Sequence, residues 1–166
     1  AALVFAISMK LRDPRHDIVV FERNDPGDTF GWGVVFSDQT MENLRANDPK
    51  SADEIEAGFA HWDDIDVHIH GQTIRSGGHG FAGIGRQRLL TILHERARSL
   101  GVDLRFQSEV ADIRALDADV IVAADGLNSR VRNDHPQIFG VDVDGWRPGQ
   151  AATLEGAVLG YPVESL

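Results

Sequence analysis

Asp119-Val120-Ile121-Val122-Ala123-Ala124-Asp125-Gly126-Leu127-Asn128-Ser129-Arg130-Val131-Arg132 is the stretch from which the fold is read. The apolar, β-branched run ending at Ala124 predicts a buried strand. Asp125 places a carboxylate at the end of that strand, and Gly126 removes the side chain that would keep a bulky ligand away from the backbone. Asp-Gly alone marks an ordinary turn. Ser129 and Arg132, at fixed offsets after it, make the segment a candidate ligand-facing device.

A second segment, Asp17-Ile18-Val19-Val20-Phe21-Glu22-Arg23-Asn24, is a short apolar run closed by an acid. The second strand of a dinucleotide-binding unit reads this way, with its terminal carboxylate, here Glu22, available to the two hydroxyls of an adenosine ribose. Taken singly, Glu22 is a solvated strand end. Such a unit opens with a strand and a G-x-G-x-x-G turn whose amides hold a pyrophosphate. The sequence instead starts at Ala1-Ala2-Leu3-Val4-Phe5-Ala6-Ile7-Ser8-Met9-Lys10, apolar on nearly all sides, which predicts the helix after that turn, packed on a parallel sheet. The expectation is a chain cut inside its first βαβ unit.

Further along, Pro14 predicts the end of the first helix. Asn24 to Asp28 is turn chemistry, and Gly31-Trp32-Gly33 predicts a loop able to border a ligand. Ser37 or Asp38 can cap a helix carrying Met41 and Leu44 and ending at Asn47-Asp48-Pro49. Ser51 and Glu54 have capping-box spacing for the next helix. Alternation from Asp66 to Ser76 predicts a half-exposed strand or hairpin with His68 and His70 on one face. A metal pair there is disfavoured, because no third ligand stands at suitable spacing. Gly78-His79-Gly80-Phe81-Ala82-Gly83 formally matches G-x-G-x-x-G. The segment before it is polar and alternating, unlike a strand buried on both faces, and Arg86-Gln87-Arg88 is bulky where close packing needs small residues, so it reads as a decoy. Leu89, Leu90, Leu93, Ala97 and Leu100 recur at helical spacing until Gly101, and Gly101 to Val110 reads as the next strand.

Composition sets outer bounds. The 166 residues permit a domain with a real core at 42% hydrophobic content, and a formal net charge of −10 disfavours nucleic acid and anionic membrane as partners. Zero cysteines exclude disulfides, thiolate metal sites and a Cys nucleophile. No apolar run approaches the roughly 20 residues that span a bilayer, and a cytoplasmic location is expected.

Asp125, Gly126, Ser129, Val131 and Arg132 together resemble the Asp-Gly-x-x-Ser-x-hydrophobic-Arg motif of the FAD-dependent aromatic-ring monooxygenases, the single-component flavoprotein hydroxylases. Ile84-Gly85-Arg86-Gln87-Arg88-Leu89-Leu90 resembles the family's hydrophobic-x-Arg-x-x-Leu segment, where the Arg opens a helix lying over the flavin. The resemblance runs from about Phe5 to Gly140. Phe21 to Asn24 and Thr29 to Ser37 look most like the branch of the salicylyl-CoA 5-hydroxylases and anthraniloyl-CoA monooxygenases.

The resemblance implies an α/β fold class. It would be a partial Rossmann-like FAD-binding domain over residues 1–140, lacking its first strand and glycine-rich loop and carrying an inserted helical and hairpin segment, followed by an unmatched tail over 141–166. It implies FAD as cofactor, NADH or NADPH as co-substrate, and an aromatic small-molecule substrate, with an aromatic CoA thioester as a candidate. The implied cofactor-binding positions are Glu22 with Arg23 at the adenosine ribose, Arg86 at the flavin, Val110 near the adenine, and Asp125 with Gly126 at the ribityl and pyrophosphate portion. No acid/base pair is expected, because the cofactor carries the hard step. Another FAD oxidoreductase on the same scaffold, such as a reductase or a halogenase, and a catalytically inert fragment are the alternatives.

Overall fold

The computed structural model of the chain describes residues 1–29, 31–126 and 128–139. Phe30, Leu127 and the expected tail over 141–166 lie outside them. The chain divides into two compact units, residues 1–111 and a second beginning at Asp112. Among the described residues no helix is long and apolar enough to cross a membrane.

The first unit opens with α1 (Ala2–Arg12), which stops where Asp13 turns to an extended conformation ahead of Pro14. Ala6 and Ile7 are buried, while Val4, Phe5 and Leu11 keep substantial exposure. Strand β1 (Val19–Phe21) pairs in parallel with β7 (Asp103–Arg105), placing Val19 opposite Asp103 and Phe21 opposite Arg105. Between these strands in sequence lie the helices and hairpin expected as an insertion, together with α4 (Arg86–Ser99), which packs on α1 and on β7. The parallel pair covers less of the chain than the two expected strands.

Some expectations are corrected. Gly31 and Trp32 lie in the expected loop, but Gly33 opens strand β2 (Gly33–Phe36), antiparallel to β6 (Phe81–Gly85), whose other edge takes β3 (Ala60–Trp62). The decoy glycines therefore lead into a strand rather than into a helix, and Gly83 lies in β6 beneath the Trp62 indole, where a Cβ would stand 3.1 Å from the ring. Glycine carries little strand preference of its own, so the ladder with neighbours decides the conformation here. Helix α2 (Asp38–Asn47) is capped by the Ser37 hydroxyl, which accepts from the Thr40 amide at 3.3 Å. Helix α3 (Pro49–Glu56) begins ahead of the expected Ser51 cap, with Asp48 at the cap position and Pro at the first turn. Ser51 is instead buried and donates to Asp48 Oδ2 at 2.6 Å.

The alternating segment forms the hairpin β4 (Ile65–Ile69) and β5 (Gln72–Ser76), joined by His70 and Gly71 at φ 49° and 75°. His70 thus leaves the strand for the turn, and His68 meets the Thr73 hydroxyl at 2.8 Å. Arg75 donates twice to Asp66 across the pair, both at 2.7 Å, which fixes the register.

The core of the first unit gathers Ile7 of α1, Met41 of α2, Ala52 and Ile55 of α3, Ile84 of β6, Ile92, Leu93 and Ala97 of α4, and Val102. Burying a side chain such as Ile92 is worth about 1.5–3 kcal/mol, so this layer orders α3 and α4 against β6.

In the second unit, the strand expected over Asp119–Ala124 is absent. No described residue pairs with it, and Val120, Ile121 and Val122 are exposed. An apolar run becomes a strand only with a ladder partner for its amides and carbonyls. A short 3-10 turn (Ile113–Ala115) precedes it, and helices α5 (Arg130–Asp134) and α6 (Pro136–Phe139) follow.

Candidate cofactor site

Glu22 follows β1 directly. Its amide donates to the Arg105 carbonyl at 2.8 Å, and its own carbonyl accepts from Ser108 at 2.9 Å, so the ends of the two parallel strands run on side by side. Its side chain is shaped locally: Oε1 accepts from both the amide and the side-chain nitrogen of Asn24, at 2.9 Å and 2.8 Å. Oε2 accepts no hydrogen bond from any described residue, and Glu22 as a whole is exposed. A carboxylate with one oxygen anchored and one free, at the end of a parallel strand, can accept from a sugar hydroxyl. Arg23 beside it is exposed, and Val110, beyond the Ser108 contact, is half-buried.

Sequence reasoning passed over two neighbours of this end. Asn24 is one, and an amide two residues after an acid is a readable signal for such a local bond. His94 of α4 is the other, only 9% exposed and edge-on to the Phe106 ring at 4.9 Å. Burial lowers its proton affinity most, the Arg98 charge lowers it further, and Glu22 pulls the other way. Arg98 in turn lies over Phe106 at 5.7 Å. The signal for His94 was its place on the buried stripe of α4 with Leu90, Leu93 and Ala97.

Arg86 stands first in α4, and its amide donates to the Trp32 carbonyl at 3.1 Å. Its guanidinium lies along Gly31, with Nη1 3.8 Å from where a Cβ there would be. No described residue gives that guanidinium a hydrogen bond or ion pair, so it is available to an anion or a carbonyl edge. The structure therefore brings Arg86 to the Gly31-Trp32 corner, and Glu22 to the Ser108–Val110 segment.

Asp125 and Gly126 belong to the second unit. Asp125 Oδ2 accepts from the Arg130 amide at 2.9 Å and more weakly from Val131 at 3.4 Å, while the Ser129 hydroxyl accepts from Arg132 at 3.1 Å. Both side chains therefore hold the start of α5. Burial works against the Asp125 charge, but the Ser129 hydroxyl and backbone amides outweigh it and hold the carboxyl below its ordinary value. Gly126 adopts φ +79°, and apart from its chain neighbours no described residue lies within 4 Å of the position its Cβ would take. Among the described residues no three His, Cys, Asp or Glu side chains could hold a metal ion.

No family model matches the chain. It is 49% identical over 139 residues to a salicyloyl-CoA 5-hydroxylase of Streptomyces sp, which covers 83% of this chain and 27% of that protein. It is 33% identical over 140 residues to the 3-hydroxy-4-methyl-anthranilyl-[aryl-carrier protein] 5-monooxygenase of Streptosporangium sibiricum, covering 84% of this chain and 39% of the relative. The chain therefore spans between about a quarter and two-fifths of the length of these two relatives. Among solved structures it resembles the tetrameric form of 2-methyl-3-hydroxypyridine-5-carboxylic acid oxygenase, at a TM-score of 0.63 and 27% identity, over 79% of this chain and 38% of the other. CtdE in complex with FAD and its substrate matches at a TM-score of 0.54 and 19% identity, over 67% of this chain and 29% of the other, which bears on the fold alone.

Proposed function

We propose, for a chain homologous over 83% of its length to salicyloyl-CoA 5-hydroxylase and related monooxygenases, that it supplies the FAD-binding part of an FAD-dependent, NAD(P)H-using enzyme hydroxylating an aromatic substrate. The 49% identity over 139 residues carries this reading. A thioester-linked aromatic acyl group is the proposed substrate class, because two of the similar proteins are a salicyloyl-CoA 5-hydroxylase and a monooxygenase of an anthranilyl-[aryl-carrier protein].

The residues present fit the adenosine and ring portions of such a cofactor. Glu22 offers a carboxylate oxygen, and Arg86 a guanidinium, that no described residue engages in a hydrogen bond. Glu22 would accept from the adenosine ribose, held in place by Asn24, with Arg23 and Val110 bordering the same end. Arg86 would approach the flavin ring. Gly126 would let the ribityl and pyrophosphate portion near the backbone, and Asp125 would act chiefly by fixing that turn through its bonds to α5. Bound FAD supplies the oxygen-transfer chemistry. The protein's part is to hold, orient and shield it.

The test is FAD titration of the chain, followed by aerobic incubation of the protein with NADH or NADPH and aromatic acyl-CoA esters. Reduced-nicotinamide oxidation that depends on the ester and yields a product with one added oxygen atom supports the proposal. Absence of FAD binding overturns it.

A further inference from the structure

Trp32 is 98% exposed. An indole left in water forgoes the burial that makes Trp a strong anchor elsewhere, yet its backbone is tied down on both sides. Gly31 precedes it at φ +96°, a conformation that side chains other than glycine rarely adopt. Gly33 follows opposite Gly85 in the β2–β6 ladder, so close to β6 that a Cβ would stand 3.1 Å from the Ile84 carbonyl oxygen. The Trp32 carbonyl accepts the first amide of α4, that of Arg86. The backbone thus brings to one corner of the first unit an exposed flat aromatic plate and a flat cation that makes no hydrogen bond or ion pair with any described residue.

A planar ring with carbonyl oxygens on one edge satisfies both groups at once, by stacking on the indole and accepting from the guanidinium. The isoalloxazine of a flavin has this chemistry. We infer that Trp32 is a positioning residue that stacks on the isoalloxazine ring of FAD, with Arg86 at the ring's carbonyl edge. The inference rests on the cofactor reading above and adds to it the residue that sets the orientation of the ring.

The experiment is fluorescence titration of the full 166-residue chain with FAD, comparing wild type with Trp32→Phe and Trp32→Leu and checking each variant's fold by circular dichroism. A stacked indole quenches flavin emission. Wild type should therefore bind FAD in a dim state, Trp32→Phe should keep most of the affinity while emission rises, and Trp32→Leu should lose affinity by roughly 3- to 10-fold, the worth of one aromatic pair. If wild type binds FAD and Trp32→Leu changes neither emission nor affinity, the stacking is overturned while the cofactor reading stands. If wild type binds no FAD, the cofactor reading fails and the stacking fails with it.

Discussion

Arg96 of α4 grips Asp48, the cap residue of α3, through two hydrogen bonds of 2.9 Å and 2.8 Å across a sequence gap of 48 residues. The two side chains are only 13% and 4% exposed. Removing one partner strands the other charge in a poorly solvated place, so Asp48→Ala should lower stability by about 3–5 kcal/mol. Arg96→Met should do less harm in combination with Asp48→Leu than alone. Chemical denaturation of the single and double variants measures this; losses that simply add would show that the pair is not coupled.

The same pair gives a pH dependence. Burial raises the Asp48 carboxyl, but Arg96 and Ser51 outweigh it and hold it below its ordinary 3.8. The folded state therefore holds fewer protons than the unfolded one. The stabilisation is complete above 3.8 and is lost as pH falls through the lower folded value. Thermal midpoints of wild type and Asp48→Asn should converge as the pH is lowered through that range. A constant gap between them at all pH values would refute the assignment.

His94 should act at higher pH. Burial foremost, and the Arg98 charge next, depress it below 6.5, with Glu22 opposing them. Above 6.5 the neutral ring carries no penalty; below it the unfolded chain takes up the proton first, and stability drops until the folded value is reached. Replacing His94 with Gln should flatten the stability profile just below 6.5. A variant profile that tracks wild type across that window would place the titrating group elsewhere.

Glu22→Ala should weaken FAD binding by roughly 10- to 100-fold, the worth of one hydrogen bond to a charged group. Asn24→Ala should weaken it less, since it only frees the carboxylate to rotate. Isothermal titration with FAD checks both, and equal affinity in all three proteins would remove Glu22 from the site.

Asp125→Ala should reduce FAD binding more than His68→Ala or His70→Ala, because Asp125 fixes the Gly126 turn while His68 lies on an exposed hairpin and His70 in its turn. Ser129→Ala, which removes only the hydroxyl cap of α5, should cost about 1 kcal/mol of stability in that helix. Equal losses of FAD affinity from Asp125 and the two histidines, measured by the same titration, would contradict this ordering.

The sequence alone determined those elements whose cause is local. The β-branched run at Val19–Phe21 needs only its own side chains to favour extended backbone, and Glu22 marks its end. The period of α4, the Ser37 cap and the alternating hairpin were legible for the same reason: each signal lies within a few residues of the element it specifies. Tertiary structure decided the rest. Val34, Val35 and Phe36 favour extended backbone by themselves, but the run is only four residues and opens on glycine, and β6 lying beside it supplies the ladder that makes it a strand. The start of α3 at Pro49 has a local cause, Asp48 at the cap followed by proline, but the pairing of Asp48 with Arg96, 48 residues away, was decided by the tertiary structure. The Asp119–Ala124 run shows the converse. Its composition favours a strand as strongly as any segment of the chain, yet no described residue offers its amides a ladder, and hydrogen bonding between segments lies beyond what local composition encodes.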